Sequence, residues 1–210
     1  MRQLKLLWQN PRRLIKIVIV SAIALLGLQG LNLWAGSGQV IDAESNKPLA
    51  GVFVLATWHG SGIGIVSNST VCYHFAVTQT NERGEYSLPE FSWNFSPFLS
   101  NRGNGKNYYL AGYETASDEV LNASVVKMRR YSGTAEKRLE TMKGPHHADC
   151  GSESDRKKLV PLYRAQYEEA QRIAQTPKEK GMAESYRQHV IYSELGHEAY
   201  VKFLMQESKR

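Results

Sequence analysis

The residues of this chain whose types and spacing are suited to chemistry are few and lie far apart. His146-His147-x-x-Cys150 offers two imidazoles and a thiolate, the donor types of a zinc site. No second ligand pair accompanies it, and a disulfide at Cys150 would consume the thiolate. Glu194-x-x-His197 has the i, i+3 spacing of carboxylate-bridged di-iron helices, but those sites need the motif twice and it occurs once. His197-Glu198 lacks the second histidine of a zinc protease helix. Gly60-Ser61-Gly62-Ile63-Gly64 is glycine-rich like a phosphate loop, yet no Gly-Lys-Ser/Thr follows, and it is not Gly-x-Ser-x-Gly. A connecting loop is expected there. Phe91, Trp93, Phe95 and Phe98 form an aromatic run whose rings either stack on a sugar or protein partner or pack over an open end of the fold. The expectation is a chain without catalytic, metal or cofactor residues, with Phe91, Trp93 and Phe95 as candidate ligand contacts.

The elements that must position these residues begin with a basic leader. Residues 1–35 hold Arg2, Lys5, Arg12, Arg13 and Lys16 and no acid. Of the 26 basic residues in the chain, 21 remain after the leader, against 20 acidic ones. Five of the six net positive charges therefore lie in the leader, and the rest, at +1, lacks the footprint of a nucleic-acid binder. From Ile17 to Leu28 the chain is strongly apolar, and the stretch continues less cleanly to Ala35. The shorter run fits a secretory signal, and the longer approaches the roughly 20 residues of a membrane span. The positive flank keeps residues 1–16 cytoplasmic and exports the remainder of the chain. Leu33-Trp34-Ala35 is a poor peptidase site because Leu33 is bulky, which favours an uncleaved single-span anchor over a cleaved signal.

Export sets the reading of the two cysteines. In an oxidising compartment Cys72 and Cys150 are expected to pair, closing a loop of nearly 80 residues. The chain-entropy model gives such a link about 4–5 kcal/mol. If the chain stays in the cytoplasm, they are two buried thiols instead. Asn68-Ser69-Thr70 and Asn122-Ala123-Ser124 are glycosylation sequons, meaningful only in a eukaryotic secretory pathway.

Residues 36–140 read as short strands separated by turn chemistry. Gln39–Ile41 and Gly51–Trp58 flank the polar stretch 42–48. Over 71–80, Tyr73, Phe75 and Val77 alternate with His74, Ala76 and Thr78, as on a half-buried strand. Asn81-Glu82-Arg83-Gly84 is a turn, and residues 71–89 are expected to close a hairpin. Further strands are expected at Asn107–Leu110, Val125–Met128 and Glu136–Leu139. This spacing predicts a β-sandwich.

Three strings in this region, Gly38-Gln39-Val40-Ile41-Asp42, Lys47-Pro48-Leu49-Ala50-Gly51-Val52 and Thr78-Gln79-Thr80-Asn81-Glu82-Arg83-Gly84-Glu85-Tyr86-Ser87-Leu88-Pro89, occur in order at plausible spacing. They resemble the carboxypeptidase regulatory-like family, over roughly residues 36–115. Asn81 stands where that pattern more often has Asp, and the Gly/Ser-rich insertion Trp58–Thr70 exceeds a tight turn. The resemblance implies an exported transthyretin-like β-sandwich in an accessory, binding or spacer role, with no catalytic residues to carry over.

From Ser152 the period changes to helical. Leu159, Leu162, Tyr163, Tyr167, Ala170, Ile173 and Ala174 mark one helix, with Ser154 or Asp155 as its cap and Thr176-Pro177 as its stop. A second helical segment runs from near Lys178 to Gln206 and is weakened at Gly196. The expected organisation is an anchor or signal over 1–35, a β-sandwich over 36–145 and a helical hairpin over 146–210. The expected role is that of a non-enzymatic envelope module attached to the membrane, whose partner is an envelope protein or a glycan. The alternative is a carbohydrate-binding module using the aromatics near Trp93.

Overall fold

The computed structural model describes residues 36–62, 70–88, 99–116, 124–142, 150 and 153–207. The leader, the aromatic run 91–98, the pair His146 and His147, and both sequon asparagines lie outside them. Among the described residues no helix is long and apolar enough to cross a membrane.

Among the described residues seven strands form two sheets. Strands β1 (Ser37–Asp42), β4 (Glu85–Ser87), β6 (Tyr113–Thr115) and β7 (Val125–Arg130) make one, in the order β4-β1-β7-β6. Within it β1 and β7 run parallel, and the other pairs are antiparallel. Strands β2 (Phe53–Gly62), β3 (Thr70–Gln79) and β5 (Leu99–Tyr109) make an antiparallel sheet in the order β3-β2-β5. Five helices complete the described residues: α1 (Ala135–Met142), α2 (Glu153–Arg156), α3 (Val160–Ile173), α4 (Pro177–Leu195) and α5 (His197–Glu207), with a 3₁₀ turn at Lys157–Leu159 before α3.

Two adjacent tyrosines explain the layering. Side chains alternate across a strand. Tyr108, opposite Val54, reaches the first sheet, where its hydroxyl lies 2.9 Å from that of Tyr86. Tyr109, opposite Phe53, points the other way and bonds to α3. The β2 residues Val54, Ala56 and Trp58 are fully buried, and Tyr86, Val40, Val126 and Met128 are buried in the first sheet. On the opposite face Leu55, Phe75 and Tyr109 share one core with Leu139, Leu159, Leu162, Ala170, Ala183 and Tyr186 of the helical region. The three-stranded sheet is thus covered on both faces. This is why Phe75 and Ala76, neighbours on β3, are both buried, where the alternation alone points to a half-buried strand.

The expected hairpin over 71–89 does not form. Strand β3 pairs with β2 along its length, and β4 pairs with β1 in the other sheet. The change of sheet happens at the Asn81–Gly84 turn. The Asn81 side-chain oxygen accepts from the Arg83 and Glu85 N–H groups, and Gly84 takes φ +71°. The Gly84 carbonyl also accepts from the Val40 N–H at 2.8 Å, so this turn is docked on β1. The three strings that carry the family resemblance meet here: Leu49 N–H donates to Val40, and Val52 N–H donates to the Thr80 hydroxyl.

A second correction concerns Glu136–Leu139, expected as a strand and found within α1. The Thr134 hydroxyl caps its first turn by accepting from the Lys137 N–H, and Arg138, Leu139 and Met142 form a buried face at helical spacing. Strand β6 has no counterpart among the expected strands, and β5 is longer than the expected Asn107–Leu110.

The helical tail follows its periodicity with three changes. Ser154 and Asp155, expected to precede the helix, lie inside α2, and the Asp155 carboxylate pairs with Lys158 at 2.6 Å. Thr176, expected as a stop, is the N-cap of α4 in a reciprocal capping box with Glu179. Gly196, at φ +79°, divides the expected second helix into α4 and α5.

A Cβ at Gly84 would lie 2.4 Å from the Val40 carbonyl oxygen, in a conformation that side chains rarely adopt. Gly84→Ala is therefore expected to cost about 2–3 kcal/mol in urea unfolding. A loss below about 0.5 kcal/mol would contradict the docking of this turn on β1.

Candidate functional site

The most concentrated chemistry among the described residues lies where α1, α3 and the β5–β6 turn meet. Glu169 of α3 is 3% exposed and Arg138 of α1 is 6% exposed. Arg138 Nε donates to Glu169 Oε1 at 2.9 Å, and its Nη2 donates to Oε2 at 3.1 Å. This is the two-pronged geometry a guanidinium offers a carboxylate. The Gly112 N–H donates to Oε1 at 2.9 Å, and the Tyr109 hydroxyl donates to Oε2 at 2.8 Å. Arg138 Nη2 also donates to the Leu110 carbonyl. Its guanidinium lies 5.3 Å from the Tyr131 ring centroid and 5.9 Å from that of Tyr109.

This geometry sets the electrostatics. Burial alone pushes the Glu169 carboxyl up. Hydrogen bonds from Arg138, the Gly112 N–H and Tyr109 outweigh it and hold the group below its ordinary value. Burial, reinforced by the neighbouring carboxylate, raises the Tyr109 phenol, so this hydroxyl stays protonated as a donor. A cavity of about 480 Å³ opens beside the pair, lined among others by Gly112, Tyr131, Arg138, Glu169, Arg172 and Gln175. Arg172 is exposed at its rim and makes no ion pair among the described residues. A second cleft, lined mostly by polar residues, lies at the edge of β1 and β4, where Glu85 is engaged by Arg83 and Asn81.

Cys72 and Cys150 are joined as a disulfide, with Cα atoms 4.9 Å apart across 78 positions. Cys150 is buried in the core shared by the helices and the second sheet. The bond ties β3 to the segment leading into α2, and bonds of this kind belong to oxidising compartments. No family model, curated protein or solved structure matches the chain.

Among the candidates expected from the sequence, Glu194 pairs with Arg164 at 2.5 Å, and His197 packs edge-on against the Tyr192 ring. No group of three or more His, Cys, Asp or Glu side chains suited to a metal occurs among the described residues. Gly60, Ser61 and Gly62 belong to β2, where a loop was expected; Gly64 lies outside the described residues. Phe91, Trp93 and Phe95 also lie outside them. Gly62, where the chain leaves β2, is paired with Leu99, where it enters β5. Arg138, Glu169 and Arg172 are absent from those candidates. A signal for Glu169 existed: it falls on the apolar stripe of α3 beside Leu162, Gln166 and Ala170, where a charge needs a buried partner.

Arg138→Met leaves an uncompensated buried carboxylate and is expected to lower stability by about 3–5 kcal/mol, part of which Arg138→Met/Glu169→Leu restores. The Glu169 pKa lies below its unfolded value, so its contribution is present above about pH 4.5 and is lost as pH falls through the lowered value. Urea unfolding between pH 3 and pH 7 is expected to show this acid loss in the wild type and less of it in the double variant. Identical pH profiles would contradict the assignment.

Proposed function

We propose that the chain is an exported, non-enzymatic accessory module of the cell envelope, held at the membrane by its leader and acting as a binding or assembly domain. On this reading residues 36–115 form a carboxypeptidase regulatory-like, transthyretin-like sandwich, and the helical region is a lid on its second sheet. The observation that carries it is the Cys72–Cys150 disulfide, a bond that persists outside the reducing cytosol. Three features support it further. The leader concentrates five basic residues ahead of an apolar run, as an exported chain requires. The two-sheet arrangement suits the family resemblance, and the three strings behind that resemblance are hydrogen-bonded together. The buried charges Arg138 and Glu169 are spent on each other and on the fold, as structural groups are.

The test is fractionation of native host cells, followed by intact-mass analysis with and without reduction before thiol alkylation. The expected result is a full-length, membrane-associated chain that takes up two alkyl groups only after reduction, with envelope neighbours captured by crosslinking. A soluble cytoplasmic chain with both thiols alkylated directly would overturn the reading.

A further inference from the structure

We propose that the cavity between α1, the end of α3 and the β5–β6 turn binds a small monocarboxylate, with Arg172 as its principal contact. The proposal deepens the binding-module reading by naming a ligand class, and it rests on that reading only for its biological use. Among the charged groups lining the cavity are two guanidiniums, Arg138 and Arg172, and one carboxylate, Glu169, a net charge of +1. One carboxylate neutralises that charge; a dianion would leave negative charge facing Glu169 across a partly enclosed space.

The bonding pattern sorts the groups into those in use and those with capacity left. Both Glu169 oxygens are filled, each accepting from Arg138 and from one other donor, so Glu169 offers a ligand no open acceptor. The Arg138 side chain, 7% exposed, commits Nε and Nη2 to Glu169 and Leu110. Its Nη1 has no acceptor among the described residues. Arg172 lines the same cavity, is exposed, and has no ion pair among them. Its planar fork matches a carboxylate bidentately, which a neutral amide cannot replace.

The remaining walls suit the body of such a ligand. Tyr131 and Ile173 supply apolar surface, and Gln175 supplies an amide. About 480 Å³ falls in the range of small-molecule sites. The carboxylate has two sources in an envelope, the C-terminus of a peptide or an acidic sugar.

Saturation-transfer NMR on the full-length, oxidised chain tests this with four probes: N-acetylglycine, glucuronate, N-acetylglycinamide and inorganic phosphate. Saturable binding of at least one carboxylate is expected, with no response from the amide and weaker binding of phosphate. The preferred carboxylate separates the peptide source from the sugar source. Arg172→Ala, with an unchanged melting temperature, is expected to weaken that binding at least tenfold, and Arg172→Lys less so. Absence of saturable carboxylate binding, an equal response from the amide, tighter phosphate binding, or unaltered affinity in Arg172→Ala would each overturn it. The readout does not depend on cellular location, so it can fail while the envelope reading stands, and the reverse.

Discussion

The structure depends on one buried carboxylate. Glu169 stands on the face of α3 that an apolar residue would ordinarily occupy, and burying it unpaired would cost several kcal/mol. That cost is offset only if Arg138, the Gly112 N–H and Tyr109 arrive together, because they supply its four hydrogen bonds. These donors come from α1, the β5–β6 turn and β5. Apolar packing alone tolerates sliding of a helix over a sheet. A fully satisfied ionic centre does not, since a shift of about an ångström leaves charge unpaired in a low-dielectric interior.

Two further constraints act through the same layer. Tyr108 and Tyr109 send adjacent side chains to opposite faces of β5, so one strand is bonded both to the first sheet and to α3. The disulfide fixes the helical region at a second point, on β3, the opposite edge of the same sheet from β5. With β5 and β3 both secured, the helices are a structural layer of the domain. Tyr186 adds a bond from α4 to the Leu139 carbonyl of α1, closing the helical layer on itself. Arg172, which lines the cavity beside this centre and makes no ion pair among the described residues, is not consumed by the fold.

Much of this was legible in the residues. Strands β1, β2, β3 and β7 follow from short β-rich segments between turn residues, and the helical tail follows from its 3.6-residue period. The cysteine pairing followed from compartment logic. Chain direction after Asn81 was not legible, because a turn sequence specifies a reversal without specifying which sheet receives it. Docking of Gly84 on Val40, a contact across more than 40 positions, decides that. The stretch 136–139 reads as a strand because four residues cannot distinguish periods of 2 and 3.6; Met142 and the Thr134 cap resolve it. Glu169 escapes notice because charges between apolar positions are normally solvated. Its spacing from Leu162 places it on the stripe, but its partner Arg138, on a distant element, is a tertiary fact.

Hydrogen exchange read by mass spectrometry, comparing the full-length oxidised chain with Glu169→Gln, tests the central role of this centre most directly. Loss of the carboxylate is expected to speed exchange across α1, α3 and the Gly112 turn while β1, β2 and β7 keep their protection. Uniform acceleration of every element, or unchanged exchange in α1, would show that helical attachment does not depend on Glu169.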